Sequence, residues 1–400
     1  AISASLVGSE MCIRDRGIGF GALNAADIYW LPSISPLFSS IALIGGIFIL
    51  VFQLGEQIIQ PEYAMMGGLV LAWATLIGAT LQWLIQVPPL WRAGLGKLRF
   101  RFNFQNPGVQ EITKVMIPAT LSSGMLHINV YTDLFFASYI PQAAASLGYS
   151  GLLVQTPLGI ISNVILVPFL PIFSRLAAPE NWQDLKYRIR QALVLTAITM
   201  LPLSAVMVTL ALPIIRVVYE RYAFDLSASK FVASVLMAYA VGMFVYLGRD
   251  VLVRVFYALG DGETPFKVSV FNIFLNALLD YLLINAFGAP GLVLATVGVN
   301  LISMVIFLWL LDRKLGGLPW GEWLIPFASL IAGSLATALV CWTVLSGSQL
   351  MLGSEGFFVQ LLELALASFS GLGIFGLIVM KMNLPEVDIF VGRIRQKLGI

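Results

Sequence analysis

Ten long apolar stretches make up most of the chain and constrain its fold more than any other feature. A helix that crosses a bilayer needs about 20 predominantly apolar residues, and each stretch is near that length or longer. The sequence therefore predicts an all-α fold, a polytopic membrane helical bundle. The ten predicted spans cover about Leu31–Phe52, Tyr63–Val87, Val115–Ile140, Ala145–Ile172, Ala192–Val217, Phe231–Leu259, Val268–Phe287, Gly291–Leu311, Trp323–Leu345 and Phe357–Met380.

Composition supports this class and excludes several others. Of the 400 residues, 59% are hydrophobic and only 11% are charged, which is typical of polytopic membrane proteins. The net charge of +2 does not indicate a nucleic-acid partner. Two cysteines and one histidine are too few for a disulfide framework or a Cys/His zinc site, and the sequence has no phosphate-binding GxxxxGKS/T loop. We therefore expect no metal site, no cofactor and no built-in ATPase.

The stretch Leu147–Arg175 is the centre of the predicted arrangement. It carries Pro157, Pro168 and Pro171, with Gly151 and Gly159, inside an apolar run, which a membrane helix tolerates better than a soluble one because neighbouring helices satisfy the freed backbone groups. Its polar residues recur at intervals of seven and therefore share one helical face. These residues are Tyr149, Thr156 and Asn163. We expect this face to form the wall of a wet central path.

The distribution of basic residues predicts the orientation. If the loop Arg92–Arg101 is cytoplasmic and sides alternate, most lysines and arginines fall on the cytoplasmic side. Those on the cytoplasmic side are Arg175, Lys186, Arg188, Arg190, Lys267, Arg313, Lys314, Lys381, Arg393, Arg395 and Lys397, and those outside are Arg216, Arg221 and Lys230. The pattern predicts a multi-pass membrane protein with a cytoplasmic C-terminus.

Ionisable residues within one predicted span form a first polar group. Asp250 precedes Arg254 by four residues, so the two lie on one helical face and can pair, and Arg249 lies beside them. Ionisable residues in spans commonly mark a pathway. Two interpretations stay open: an anion-attracting patch in a cavity, or an internal salt bridge near the inner interface with the arginine reaching towards water.

Two further polar groups lie in other spans. In the third span, Asp133 is a candidate for binding a coupling cation or proton, or for hydrogen bonding between helices, and His127 lies on an adjacent face. A catalytic triad would have to use His127, which is better explained as a packing or cavity-lining residue, so we do not expect an enzyme. In the seventh span, Asn272, Asn276 and Asp280 recur every four residues; polar contacts between helices explain them best, and Asp280 is a second coupling-ion candidate.

Three long motifs carry a family resemblance. NAADIYWLPSISPLFSS, LGYSGLLVQTPLGIISNVILVPFLPIFSRLA and RVFYALGDGETPFK resemble the MurJ (MviN) family, the lipid II flippases of bacterial cell-wall synthesis, from about Gly17 onwards. The sequences of these motifs are most similar to those of cyanobacterial-type members. The resemblance implies the fold of the wider multidrug/oligosaccharidyl-lipid/polysaccharide (MOP, MATE-like) exporters, with two six-helix lobes around a central cavity. It also implies two additional C-terminal helices that form a lipid groove.

On that template the ten spans correspond to the fifth through fourteenth helices of an expected 14. Residues 1–16 fit neither a span nor a signal peptide and resemble translated sequencing-adapter read-through, with a disordered native tail as the alternative. We expect an N-terminally truncated member with this order: leader 1–16, remnant of the N-terminal lobe 17–87, C-terminal lobe with its preceding cytoplasmic loop 88–322, two additional helices 323–381 and a cytoplasmic basic tail 382–400.

One departure from the family pattern concerns the central helix. Many members have Asp, Arg and Glu at positions where this chain has Gly151, Leu152 and Gln155. The resemblance implies that family members use an arginine at the position of Leu152 to contact the diphosphate group of lipid II. Arg254 or Arg249 are the candidates to supply that positive charge in this chain. The substrate-cavity candidates are Arg254, Arg249, Asp250, Tyr149, Gln155, Thr156, Asn163, His127 and Asp133.

The resemblance implies a flippase that moves lipid II, undecaprenyl-diphosphate carrying a disaccharide-pentapeptide, from the inner to the outer leaflet by alternating access. Membrane lipids and cell-wall synthesis proteins are the other expected partners, and nucleic acid is not. Two alternatives stay open: a MATE-like exporter of drugs or polysaccharide-lipids, and a membrane scaffold for cell-wall enzymes that transports nothing.

Overall fold

A computed structural model describes residues 30–92, 110, 128–353 and 356–382. Within these ranges all regular structure is helical, and nine helical segments are long and apolar enough to cross a membrane. The all-α prediction is therefore confirmed. The described residues fall into two compact units that divide between Glu111 and Ile112.

The first unit contains helices α1 (Trp30–Leu54), α2 (Ala64–Leu84) and the short α3 (Val87–Arg92), with two 3-10 turns between α1 and α2. Helices α1 and α2 approach closely because Gly78 lacks a side chain: a Cβ there would lie 2.8 Å from the Cα of Ser39. The buried Ser35 hydroxyl accepts hydrogen bonds from the amides of Gln82 and Gln86. Small residues and polar contacts of this kind are typical of helix pairs in membranes.

The second unit contains the remaining helices. They are α4 (residues 128–137), α5 (Ala143–Arg175), α6 (Trp182–Thr209), α7 (Ala211–Tyr219), α8 (Leu226–Val241), α9 (Met243–Ala258), α10 (Glu263–Phe287), α11 (Ala289–Lys314), α12 (Trp320–Leu352) and α13 (Phe357–Lys381). The link between α10 and α11 is a single residue, Gly288, at φ +62°, a backbone conformation that glycine adopts without steric cost.

The core of the second unit lies between α5, α6, α8, α9 and α11. Each contributes a fully buried side chain: Phe173, Leu193, Leu236, Phe256 and Phe307. The rings of Phe256 and Phe307 pack with centroids 5.4 Å apart, within the usual range for aromatic pairs. A smaller apolar cluster joins α6 to α12 and α13 through residues such as Val194, Leu330 and Phe375. The outer surfaces of the helices are rich in large exposed apolar side chains, as a lipid-facing surface requires.

Nine of the ten predicted spans match the apolar helical segments, with boundary shifts of several residues. Most of the predicted span Val115–Ile140 lies outside the described residues, and its described part forms α4. Two of the predicted spans have limits that differ from those of the helices in the structure. The predicted span Phe231–Leu259 is two helices, α8 and α9, that meet at Gly242, and the predicted end at Val217 belongs to the separate helix α7. Helix α5 continues through Pro157, Pro168 and Pro171.

Candidate functional site

The side-chain amide of Asn276 joins two carboxylates inside the second unit. Its Nδ2 lies 2.7 Å from Oδ1 of Asp133 on α4 and 2.9 Å from Oδ2 of Asp280 on its own helix α10. An amide nitrogen carries two protons, so it can donate to both carboxylates at once. Asn276 and Asp280 are almost completely buried. The structure thus brings together the two residues that the sequence indicated as coupling-ion candidates.

Helix α11 completes the group through Thr296. The Thr296 hydroxyl lies 3.2 Å from Oδ2 of Asp133 and 3.3 Å from the carbonyl oxygen of Leu292. A hydroxyl has one proton, so it donates to only one of these acceptors at a time. Oδ1 of Asp280 is buried and has no hydrogen-bond partner within the described residues. We refer to Asp133, Asn276, Asp280 and Thr296 as the acidic cluster.

The acidic cluster has more negative charge than its donors can balance. Two neighbouring carboxylates, that of Asp280 fully buried and that of Asp133 partly buried, repel one another and lose solvation. One neutral amide and one hydroxyl do not compensate two full charges. Either a proton or a cation resolves this conflict, and the all-oxygen acceptors of the cluster suit a hard cation.

Helix packing positions the acidic cluster. Helices α10 and α11 form an antiparallel pair in which Gly291 lies directly against the backbone carbonyl of Leu283, so that no larger residue fits there. Further along the same pair, away from the link at Gly288, the buried Ser303 hydroxyl lies 2.8 Å from Oδ1 of Asn272. Asn272 therefore acts as the polar contact between helices that the sequence favoured for this stripe, whereas Asn276 and Asp280 take part in the acidic cluster.

Helix α5 has two distinct faces. Ser150, Val154 and Phe173 are among the residues on its buried face. The polar residues predicted from the sequence are on the opposite, exposed face, together with several apolar side chains. This exposed stripe consists of Tyr149, Leu152, Gln155, Thr156, Gly159, Ile160, Asn163 and Val164. Within it, the Thr156 hydroxyl and the Asn163 amide bond to carbonyls one turn earlier in the same helix, at 2.8 and 3.0 Å.

The position at which family members are expected to have an arginine is on this stripe. Leu152 is 63% exposed, so an apolar side chain stands where the resemblance implied a cation. Gly151 lies beside it on the buried side, and a Cβ there would be 3.9 Å from both the Tyr239 hydroxyl and Nε2 of Gln155. The stripe therefore offers amide and hydroxyl groups to a polar ligand but no positive charge.

On α9 the predicted pairing of Asp250 with Arg254 is wrong in detail. Asp250 instead pairs with its neighbour Arg249, whose Nη1 lies 3.3 Å from Oδ1 of Asp250. Arg254 lies within Coulombic range of Asp250 but outside ion-pair distance. Nε of Arg249 is buried without a partner in the described part of the chain.

A cavity of about 350 Å³ lies between α5, α6 and α13. Its walls are almost entirely apolar and include Ile161, Leu203, Leu372 and Phe375. An elongated hydrocarbon chain fits such a lining, whereas a charged group does not. The sequence expectation of a lipid groove at the two C-terminal helices stays a prediction. The second of these helices, α13, forms part of the wall of this cavity.

Some sequence candidates lie elsewhere, and some members of the site were missed. His127 is outside the described residues. Thr296 was missed because a single threonine in an apolar helix is common, although its spacing of four from Asn300 places both on one helical face. Tyr239 and Tyr246 were not expected near the site, yet both pack against the apolar cluster that includes Val293 and Val297 of α11. No signal in the sequence reports a contact between separate helices.

Comparisons with known proteins agree with the resemblance. Residues 16–363 match the family model described as "Lipid II flippase MurJ". The "Probable lipid II flippase MurJ" of Synechocystis sp. is 55% identical over 381 residues, which is 95% of this chain and 72% of that protein. The "Lipid II flippase MurJ" of Burkholderia cenocepacia is 26% identical over 336 residues, 82% of this chain and 62% of that protein.

The fold also has a solved counterpart. A structure titled "Lipid II flippase MurJ, inward closed conformation" superposes with a TM-score of 0.71 at 20% identity, over 93% of this chain and 72% of that one. This chain therefore has the same fold along most of its length while spanning only part of its relatives. Because the family model covers most of the chain and a relative above 50% identity covers nearly all of it, the chain belongs to the MurJ family of lipid II flippases.

Proposed function

We propose that this chain moves lipid II from the inner to the outer leaflet of the bacterial inner membrane, as a transporter without covalent chemistry. The match to the flippase family over residues 16–363 carries this proposal. A transporter is needed for this step because a diphosphate with attached sugars cannot cross about 30 Å of hydrocarbon unaided. A path lined by polar groups lowers that barrier while the polyprenyl tail stays in an apolar environment.

The exposed stripe on α5 is the proposed wall of that path. It presents Tyr149, Gln155, Thr156 and Asn163 in one line along the helix, and polar side chains within a membrane span commonly mark the path of a polar ligand. Arg254 and Arg249 on α9 are the proposed sources of positive charge for the diphosphate, in place of the arginine expected at Leu152. The apolar cavity against α13 is the proposed site for part of the polyprenyl tail.

The acidic cluster is the proposed site of a coupling cation or proton. Its support is the pair of carboxylates that share one amide, with Asp280 fully buried and Asp133 partly buried, and the buried Asp280 Oδ1 that lacks a partner among the described residues. A bound cation would neutralise part of the charge and change how α4, α10 and α11 pack. Alternating access requires such a difference between two arrangements of the helices. The basic residues support the predicted orientation, with the C-terminus in the cytoplasm.

Complementation tests the proposed function. Cells depleted of their own flippase would express either this chain, or this chain preceded by the part of the Synechocystis relative upstream of the match. Growth, together with lipid II accessible to an externally added diphosphate-cleaving enzyme, is the expected result for at least the longer protein. Growth without exposure of lipid II, or no growth despite normal membrane insertion, would support the scaffold alternative and contradict the proposal.

A further inference from the structure

Three aromatic rings lie together at one end of the exposed stripe on α5. The ring of Tyr149, which belongs to the stripe, has its centroid 5.0 Å from that of Tyr219 on α7 and 5.6 Å from that of Phe224. The Tyr219 and Phe224 centroids are 5.8 Å apart, and all three distances are usual for packed aromatic rings. We refer to these three residues as the aromatic cluster. Tyr149 stays 43% exposed, so the other two rings support it without covering it.

Hydrogen bonds hold the aromatic cluster in place. The Tyr219 hydroxyl donates to the backbone carbonyl of Tyr149 at 3.2 Å and so joins α7 to α5. Phe224 lies in the turn between α7 and α8, and this turn is anchored at Glu220, whose carboxylate accepts a hydrogen bond of 2.8 Å from the Ser229 hydroxyl on α8. A surface that is held in its binding geometry before the ligand arrives loses less entropy on binding.

The rest of the exposed stripe is polar but neutral. Thr156 and Asn163 follow Tyr149 at intervals of seven on the same helical face. The Asn163 amide donates one proton to the carbonyl of Gly159, which leaves its oxygen and its second proton for a ligand. Leu152 stands where the resemblance implies an arginine. A face with amides, hydroxyls and an aromatic ring but no cation does not suit a diphosphate, which binds best to charged donors.

A sugar ring suits this combination of groups. A pyranose has a face of C–H groups and an edge of hydroxyls. The face of an aromatic ring is partly negative and attracts the partly positive C–H groups. Amides and hydroxyls exchange hydrogen bonds with the sugar hydroxyls. Small-molecule sites commonly combine an aromatic surface with a few polar groups that fix the orientation of the ligand.

We propose that the aromatic cluster is a carbohydrate subsite, in which the ring of Tyr149 stacks against a sugar of the lipid-linked disaccharide while Tyr219 and Phe224 hold that ring in position. This inference rests on the lipid II flippase function proposed above. Helix α5 begins at Ala143 and ends at Arg175, so on the predicted orientation the subsite lies at the outer end of the stripe. There it receives the sugars as the headgroup reaches the outer leaflet.

Titration of the purified full chain in detergent with two lipids tests this inference. One lipid is undecaprenyl diphosphate carrying the disaccharide without its peptide, and the other is undecaprenyl diphosphate alone. We expect Tyr149→Leu to bind the disaccharide lipid at least fivefold more weakly and undecaprenyl diphosphate within twofold of the wild type. Tyr149→Phe keeps the ring and should bind both lipids as the wild type does. Tyr139→Leu is the matched control, because Tyr139 is 67% exposed and packs against Phe135, outside the aromatic cluster.

A second variant, Phe224→Leu, keeps the Tyr149 side chain and removes one of the rings that support it. It should bind the disaccharide lipid at least twofold more weakly and leave the affinity for undecaprenyl diphosphate unchanged. Equal losses for both lipids, or no loss in either Tyr149→Leu or Phe224→Leu, would overturn the inference and leave Tyr149 a packing residue. Lipid II is titrated in parallel: if the wild type binds none of the three lipids, the proposed flippase function itself falls, and the subsite falls with it.

Discussion

The Asn276 amide nitrogen lies 2.7 Å from the carboxylate of Asp133, which is 143 residues earlier in the chain. This contact joins α4 to α10 inside the second unit. Because the same nitrogen also bonds to Asp280, one amide controls the separation of two like charges. The acidic cluster is therefore sensitive to small changes in the positions of α4 and α10.

Removal of the Asn276 amide should destabilise the second unit. In Asn276→Ala, the two carboxylates lose their shared donor while Asp280 stays fully buried and Asp133 partly buried, which we expect to cost about 2–4 kcal/mol. Reversible unfolding in mixed micelles measures this loss. Asn285→Ala, at an exposed position near the end of the same helix, is the control and should be close to neutral. Adding Asp133→Asn to Asn276→Ala should restore part of the loss, because it removes one of the two charges; a fully additive double variant would contradict this account.

Asp261, in the turn between α9 and α10, should make stability depend on pH in the acidic range. Burial alone would raise the pKa of Asp261, but hydrogen bonds from Lys314 at 2.6 Å and from Thr264 outweigh it and hold the pKa below its ordinary value. A carboxyl with a lowered pKa stabilises the fold above its unfolded pKa of about 3.9, and this contribution disappears as the pH falls through the folded pKa.

The measurement for Asp261 is the difference in melting temperature between the wild type and Asp261→Asn at several pH values. We expect a constant difference from pH 7 to 5 and a decreasing one below about pH 4. Glu263→Gln is the matched control, because the Glu263–Lys267 pair on the neighbouring turn is largely exposed, and an exposed pair contributes little. A difference that stays constant down to pH 3 would exclude the ionised carboxylate as the source of the stabilisation.

Gly371 should be essential for the packing of α12 against α13. A Cβ at this position would meet the sulfur of Cys341 and would lie 3.3 Å from the backbone oxygen of Thr337, which cannot move aside. We expect Gly371→Val to cost about 1–3 kcal/mol. Gly373→Val is the control, since a Cβ at Gly373 has no neighbouring heavy atom within 4 Å.

The buried thiol of Cys341 reports on this helix pair. In a Cys12→Ser background, a membrane-permeant thiol reagent should label Cys341 faster in Gly371→Val than in Gly373→Val. Equal labelling rates in the two variants would show that the close approach at Gly371 does not control the packing of α12 against α13.

Arg254 should be needed for transport if its charge replaces the arginine expected at Leu152. In a protein that complements a flippase-depleted strain, Arg254→Ala should lower the rate of lipid II translocation at least about tenfold, equivalent to about 1.4 kcal/mol of barrier. Arg254→Lys is the matched control and should keep a substantial part of the rate, because it preserves the positive charge. Unchanged translocation in Arg254→Ala would contradict this role for Arg254. The positive charge would then have to come from Arg249 or from residues outside α9.

The sequence alone determined the helical class, most of the spans and the family. Each of these depends on features that are local in the chain: apolar runs long enough to cross a bilayer, and ordered motifs such as LGYSGLLVQTPLG. The exposed polar face of α5 was also predictable, because a spacing of seven repeats every two helical turns, whatever the helix packs against.

The tertiary structure decided which polar residues meet. Asp133 and Thr296 are 163 residues apart, and only the crossing of α4 with α11 brings them together. The sequence pattern placed Asp250 with Arg254, but the structure pairs it with Arg249. Helical periodicity fixes which residues share a face, whereas contacts between faces depend on packing that no single helix encodes.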